Sequence, residues 1–577
     1  MKKYLFIALA ALGFAACTES GDEKTPVQNA EMEESYIAIN LMAADNDTRA
    51  TDGGYVDGTV AERAVKTAYF FFFDANGAPF NVTAHTDGGA NAPGGTKNHL
   101  PLAVSENSTS GMENVSDIKN AVLVLNTYKG VYPSQIVAVI NWTPEDKPYT
   151  LAALHDKLAD LGNDGDGYVM SNSVYMDKAG NMVDAVPLTA ANIKTTAEKA
   201  TENPINIYVE RIAAKVELTA SKGTVVDNAI YFDTQQNSSA LTPAGESLSD
   251  VDVYVKLNGW ELYNDYATSN LLKNIENWDD ATLGLTWNDI PYFRCYWAQS
   301  QPLDPDYTDS FSWSYADYET KGFPTTYGFA VGSHTYCGEN TLPVIRDSNG
   351  KVMTTSPNTK VILKGQLMQK NQDETYSALE LAKWYGNEYA GNEALRIAVA
   401  NSLKYTLYYY DEVNSKYVSI APEDIQCVGG NTVGAAAYEV GFQLSTASEA
   451  KTWYKYDSTN GYVQFGTADD HSSNTTATNN YLKSVEPALL YAAGQTYYIV
   501  DIKHLGATGK TAEYGVVRNH VYQIDIESIK GYGTPVYIGN SNLEDPEYPT
   551  EDEASYVAAR INVLSWKVVK QGVDIVQ

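Results

Sequence analysis

The chain has 577 residues, enough for several compact units or for fewer, larger β domains. Its 72 acidic against 40 basic residues give a formal charge of −32, and so acidic a surface repels phosphate backbones, which argues against a nucleic-acid partner. Tyr supplies 43 residues against 9 Trp and 14 Phe, long helical patterns are scarce, and the composition predicts a mostly β protein.

The first element is an export segment. Lys2 and Lys3 precede the apolar run "YLFIALAALGFAA" (residues 4–16). That run is shorter than the roughly 20 residues needed to span a bilayer. It ends in small residues before Cys17, and Phe14-Ala15-Ala16-Cys17 fits a loose lipobox, with Phe14 where an aliphatic residue is usual. Small residues admit a signal peptidase, and the Cys17 thiol would take a thioether-linked lipid. An ordinary secretory signal with an incidental cysteine is the alternative, but the position of Cys17 directly after Ala-Ala favours lipidation. Cys295, Cys337 and Cys427 are then left, an odd number that cannot form a disulfide framework. One bridge stays open as a reading, and three small buried hydrophobes is the better one. No Cys-x-x-Cys points to zinc.

Residues 34–43 predict a strand with Ile37, Ile39 and Leu41 on one face and Tyr36 on the other. The polar stretch 44–54, with Gly53-Gly54, predicts an exposed loop. "VKTAYFFFFDANGAPF" (65–80) predicts a strand and a tight turn at Asn76-Gly77. "QIVAVINWTP" (135–144) predicts an apolar strand stopped by Pro144. A helix is predicted over 149–162, where Leu151, Leu154, Leu158 and Leu161 share a face. "INIYVERIAAKVELTA" (205–220) reads as one long strand run with a domain boundary after it. Strand runs follow at 252–263, 359–367, 404–412, 495–506 and 520–533, with a short helix predicted over 378–390. Their spacing suits antiparallel sandwiches.

"NLEDPEYPTEDEA" (542–554) is an acidic, Pro-containing break that reads as an extended tether. A last strand follows, with Val557, Ala559, Ile561 and Val563 on one face. The apolar parity then flips to Leu564, Trp566 and Val568, which predicts a bulge or a passage to another face there. Lys570-Gln571-Gly572 breaks the run, and Val573 and Ile575 begin a second short piece. Ser555–Ala558 repeats the phrase Ser-Tyr-Ile/Val-Ala of Ser35–Ala38.

No enzyme, cofactor or metal signature survives inspection. "NDGDG" (163–167) lacks a carboxylate at the first and twelfth calcium-loop positions, which would be Gly162 and Ser173, so it reads as a turn. "DDH" (469–471) lies in a Ser/Thr/Asn-rich stretch, and the 7 His form no His-x-x-x-His pair. "GATGKT" (506–511) lacks the P-loop spacing and reads as a hairpin loop. Paired acids are too common in this chain to single out a glycosidase pair.

Several stretches together resemble one family. They are "VAVINWTP" (137–144), "GYVMSNSV" (167–174), "YVERIAAKVEL" (208–218), "TKVILKGQL" (359–367) and, most specifically, "YGVVRNHVYQIDIESIKGYGTPV" (514–536). In this order they resemble the fimbrillins of Bacteroidales type V pili, nearest the shaft subunits of the minor fimbrium. The acidic residues of 18–23 are similar to the surface-export tethers of Bacteroidales lipoproteins. The resemblance implies two tandem transthyretin-like, Greek-key β-sandwich domains with few short helices and a C-terminal donor-strand extension. It also implies lipoprotein export, cleavage by a trypsin-like protease, and head-to-tail polymerisation by strand exchange. The expected layout is a signal peptide (1–16), a propeptide with the first strand (17–49), sandwiches over 50–220 and 221–541, and tether and donor over 542–577.

Arg49 is the only basic residue between Lys24 and Arg63 and sits in the predicted loop, so Arg49-Ala50 is the expected scissile bond. Tyr36, Ile37, Ile39 and Leu41 would be the displaced strand. Val557, Ala559, Ile561, Val563, Leu564, Trp566, Val568, Val573 and Ile575 would be the donor. Expected partners are further copies of the chain, tip and anchor subunits, the protease, and the outer membrane through lipid before maturation. The host receptor is not legible. The competing expectation is a monomeric surface lipoprotein that binds glycans on exposed aromatic rings.

Overall fold

The computed structural model describes residues 32–43, 55–59, 61–84, 96–101, 120–128, 130–177, 181–248, 250–278, 280–285, 295–301, 327–348, 350, 352, 356–429, 439–466, 471–536 and 556–567. The chain is mostly β, in several sheets.

The first two strands, β1 (Met32–Ala43) and β2 (Tyr55–Asp57), belong to different sheets. β1 joins a nine-stranded sheet with β3 (Ala68–Phe73), β4 (His99–Pro101), β5 (Asn120–Tyr128), β6 (Gln135–Ile140), β7 (Met170–Asn172) and β8 (Ile205–Arg211). The path runs Thr83–Ala84, β5, β1, β8, β7, β6, β3, β4, with Val186–Pro187 beside β6. One face carries Ile37, Ile39, Phe70, Phe72, Leu125, Ile136, Ile140 and Ile207 into a shared core. The other face of β3 and β6 packs Phe71, Phe73, Val137 and Val139 against Tyr149, Leu154, Ile212 and Leu271. A strand buried on both faces has no polar side, which is why 70–73 and 136–140 read as unbroken apolar runs.

The Asn76-Gly77 turn forms, with Gly77 at φ 76° and the amides of Asn76 and Ala78 donating to Asp74 Oδ1. The helix expected over 149–162 does not. α1 covers only Leu151–His155, capped by Thr150, and Leu158–Asp160 is a strand paired with Thr268–Asn270. Pairing with a distant strand overrides the local leucine pattern. "NDGDG" is a turn, with Asn163 Oδ1 accepting from the amides of Gly165 (2.7 Å) and Asp166 (2.8 Å).

The run 205–220 is two strands rather than one. β8 ends in the first sheet, Ile212 and Ala213 cross over fully buried, and β9 (Ala214–Thr219) enters a second sheet. The second unit adds β10 (Ala229–Ser238), β11 (Val251–Tyr263), β12 (His334–Cys337) and β13 (Lys360–Lys370).

A lobe then intervenes. Residues 378–390, expected to be helical, form a hairpin of Leu381–Trp384 and Asn387–Tyr389. Tyr385 (φ 48°) and Gly386 (φ 73°) both take the left-handed conformation of a tight hairpin turn, and Gly386 makes the pair tolerable. The helix comes later, as Gly391–Ser402 (here α3, after α2 at Ala197–Thr201). The lobe continues with β14 (Leu407–Asp411), β15 (Lys416–Ser419), β16 (Trp453–Asp457), β17 (Gly461–Gln464) and α4 (His471–Lys483). Its core gathers Leu395, Val399, Leu407, Phe442, Trp453 and Leu482.

The chain returns with β18 (Gln495–Asp501), β19 (His520–Lys530) and β20 (Tyr556–Lys567). A five-stranded sheet, β2-β20-β19-β9-β12, faces a seven-stranded sheet built on β10, β11, β13 and β18. Val216, Leu218, Ile524 and Ile526 from one sheet meet Val255, Leu257, Leu363 and Val500 from the other. The two layers face each other as a sandwich, the seven-stranded one antiparallel and the five-stranded one mixed, with β9 parallel to β19 and β2 parallel to β20. "GATGKT" loops between the bridged pair Lys503 and Tyr514. Cys295, Cys337 and Cys427 are buried, and none of the three is in a disulfide.

Candidate functional site

Strand exchange needs an acceptor groove, a strand that fills it before assembly, and a donor. β1 lies in the middle of the first sheet. It runs antiparallel to β5, from Met32 opposite Tyr128 to Asn40 opposite Asn120, and parallel to β8, from Ile39 opposite Ile205 to Ala43 opposite Val209. Ile37 and Ile39 are fully buried, and Ser35 and Ala38 are buried too. Tyr36 pairs with Val124 and Leu41 with Ile207 along the backbone. α2 packs over β1 and β5 from the side and begins with Thr196 Oγ1 accepting from the Lys199 amide. Each buried isoleucine of β1 contributes roughly 1.5–3 kcal/mol to holding it. A sheet without β1 would present two unpaired strand edges and a slot lined by Leu123, Leu125, Ile205 and Ile207.

β20 occupies its own chain. It pairs antiparallel with β19, from Tyr556 opposite Lys530 to Ser565 opposite His520. On its other edge Ser565, Trp566 and Lys567 pair parallel with Tyr55, Val56 and Asp57 of β2. Val557, Ala559, Ile561, Val563, Leu564 and Trp566 therefore belong to one unbroken strand. No register shift falls at Leu564, so the ladder alternates regularly there, which is the passage to another face that the parity change also allowed. The shift in this pairing lies at Glu527 of β19, opposite Ala558 and Ala559. Cys17, Arg49, Ala50, Val568, Val573 and Ile575 lie outside the described residues.

Residues just after β2 are fixed at the junction of the two sheets. A single turn, Ala61–Arg63, is closed by reciprocal bonds: Thr59 N donates to the Glu62 carboxylate (2.6 Å) and Glu62 N donates to Thr59 Oγ1 (3.1 Å). The buried Glu62 carboxylate also accepts from Tyr336 Oη (2.6 Å) and lies 3.1 Å from Lys215 Nζ. Arg211 Nε donates to the Glu62 carbonyl (2.7 Å). Burial works against the Glu62 charge, but the Tyr336 and Thr59 hydrogen bonds and the Lys215 charge outweigh it and hold the carboxyl below its ordinary range. Burial and the Glu62 bond push the Tyr336 phenol up.

Two more buried ion pairs tie the same region. Glu210 at the end of β8 meets Lys273 at 2.7 Å, and Arg518 meets Glu339 at 2.5 Å while donating to the Asn270 carbonyl at 2.6 Å. Glu210, Arg211 and Lys215 fall within "YVERIAAKVEL", and Arg518 within "YGVVRNHVYQIDIESIKGYGTPV". Sequence reading valued these segments for their order and missed why the charges are there. The available signal was a charged residue inside an otherwise apolar strand run, which has to be paired once buried.

With this geometry established, comparison with known proteins is informative at one end of the chain. Residues 489–572, which span β18, β19 and β20, match the family model "Major fimbrial subunit protein type IV, Fimbrillin, C-terminal". A search of curated proteins gives no match. Among solved structures, a fimbrilin from Porphyromonas gingivalis W83 is 11% identical, with 93% of this chain and 98% of that one covered and a TM-score of 0.35. The tip fimbrial protein Mfa3 from Porphyromonas gingivalis is 10% identical, with 92% and 100% covered and a TM-score of 0.29. A fimbrial assembly protein from Parabacteroides distasonis is 10% identical, with 59% and 98% covered and a TM-score of 0.23.

Proposed function

We propose that this chain, a member of the Bacteroidales fimbrillin family, is a pilus subunit that matures by cleavage at Arg49-Ala50 and polymerises by giving β20 to a neighbour's vacated β1 slot. A cell-surface pilus that serves adhesion is the setting the family supplies. The family is structural, and the proposed work of this chain is assembly rather than chemistry.

The observation that carries the reading is the separation of β1 from β2, the next strand of the chain, into different sheets. β1 sits in the first sheet, β2 in the second, and Glu62 fixes the chain just beyond β2. A cut at Arg49 would therefore leave β1 held by its ladder and its buried side chains alone, while the new N-terminus stays anchored. β1 could then leave, opening a slot between β5 and β8. A donor entering it would regain main-chain hydrogen bonds on both edges, with alternate side chains filling the places of Ile37 and Ile39.

In the uncut chain both ends of the joint are occupied in cis, the slot by β1 and the donor by β19 and β2. Export as a lipoprotein through Cys17 would bring this closed form to the outer membrane, where a trypsin-like protease opens it. Giving at one end and receiving at the other is a heterologous contact, which propagates as a filament. Tip and anchor subunits are the further partners of this scheme. The test is limited trypsin treatment of the purified chain followed by electrophoresis without heating. A ladder of heat-labile oligomers is expected from the native chain and none from Arg49→Ala. An equal ladder from Arg49→Ala would refute the cleavage step.

A further inference from the structure

The inserted lobe carries a sheet face that lies outside the strands named in the proposed exchange. β15, β14, β16 and β17 form a four-stranded antiparallel sheet in that order. Its inner face packs Leu407 and Trp453 into the lobe core. Its outer face carries a tyrosine at six positions, Tyr408, Tyr410, Tyr417, Tyr454, Tyr456 and Tyr462, because opposite residues of an antiparallel ladder share a side.

The arrangement is a duplicated hairpin. Tyr-x-Tyr-Asp-x-x-Asn recurs at 408–414 and 454–460, each followed by a tyrosine on the return strand. Asp411 Oδ1 accepts from the amides of Val413 (3.0 Å) and Asn414 (3.2 Å), and Asp457 Oδ1 from those of Thr459 (2.9 Å) and Asn460 (2.8 Å). Ser415 (φ 51°) and Gly461 (φ 73°) close the two turns in the left-handed region. Tyr408 and Tyr454 face each other across the centre. Tyr417 and Tyr462 reach in from the two outer strands and stack, with ring centroids 3.7 Å apart and planes 13° from parallel. Tyr410 meets Tyr417 at 5.1 Å and Tyr456 meets Tyr462 at 5.3 Å, both edge-on. Tyr456 is 60% exposed, Tyr410 43% and Tyr462 37%.

We infer that this face is a carbohydrate-binding platform that takes an uncharged oligosaccharide. The remaining ladder positions on the face are Ser419 and Gln464, so every side chain there is uncharged and ends in a hydroxyl or an amide. In a chain of net charge −32 these ladder positions carry no charge, and the carboxylates of Asp411 and Asp457 at the strand ends are engaged in their own turns. Ring faces accept the C–H faces of a pyranose, while the phenol, Ser419 and Gln464 groups exchange hydrogen bonds with its hydroxyls. A sulfated or carboxylated glycan is disfavoured by the acidic surroundings. The inference is independent of strand exchange, and the uncleaved monomer suffices to test it.

The experiment is affinity electrophoresis of the full chain through gels holding dextran, mannan or arabinogalactan, with chondroitin sulfate and a polyproline peptide as comparisons. Retardation by at least one neutral polysaccharide is expected. The double variant Tyr410→Ala/Tyr456→Ala should weaken it about tenfold or more. Tyr410→Phe/Tyr456→Phe, which keeps the rings and guards against misfolding, should retain most of it. Tyr385→Ala, an exposed tyrosine outside this sheet, should leave it unchanged. Retardation by no neutral polysaccharide, by chondroitin sulfate or polyproline alone, or equally in the double alanine variant would overturn the inference.

Discussion

At the residue scale, Glu62 shows how a buried charge positions a functional segment. Its carboxylate takes Tyr336, Lys215 and the Thr59 amide, and its carbonyl takes Arg211. Glu62→Ala removes one side of this cluster and leaves Lys215 with Glu217 alone at 2.9 Å. Breaking a buried pair in this way costs about 3–5 kcal/mol, and a denaturant midpoint shift in the second unit would measure it. The pH dependence has a definite sign. The Glu62 carboxyl is held below its ordinary value of 4.5, so its stabilisation is present above that pH and is lost as pH falls through the folded-state value. Native chain should therefore lose stability in acid more steeply than Glu62→Gln, as read by thermal melts from pH 7 down to about 3. None of this was legible beforehand: Glu62 lies in a short polar stretch, and its partners come from strands some 150 and 270 residues away.

At the element scale, the proposed assembly would turn on how firmly β1 is held in its sheet. Ile37→Ala or Ile39→Ala removes a fully buried side chain, a change of about 2–5 kcal/mol in a core. Weaker retention of β1 should speed conversion of the cleaved monomer to oligomer, as followed by the rate at which the trypsin-induced ladder grows. An unchanged or slower rate would mean that β1 release does not limit assembly. The strands themselves were readable wherever alternation or a doubly buried run left a local trace, as in β1, β3, β6 and β19. The errors came where distance decides. A leucine pattern at 151–161 is cut short because Leu158–Asp160 pairs with Thr268–Asn270. "ALELAKWYGNEYA" has helical composition, yet Tyr385-Gly386 folds it into a hairpin. The register shift of the β19–β20 pairing lies at Glu527, opposite Ala558 and Ala559 and away from Leu564, where no local pattern of β20 could place it.

At the scale of the whole molecule, the mostly β architecture followed from composition, and the order of a few strand motifs gave the likeness to fimbrillins that the match over residues 489–572 supports. The partnering of the two ends did not. Ser35–Ala38 and Ser555–Ala558 share a phrase, yet their strands occupy different sheets, between β5 and β8 in one case and between β19 and β2 in the other. If the second is to enter the first one's slot, it has to leave β19. Removal of residues 556–577 should then give a cleavable chain that binds a donor peptide but builds no ladder, which mixing with native subunits would reveal as capped, short oligomers. The most direct measurement of the central proposal is N-terminal sequencing of subunits recovered from the polymer. The account predicts a single start at Ala50, with residues 17–49 gone. Polymer whose subunits still begin at Cys17, with β1 attached, would contradict it.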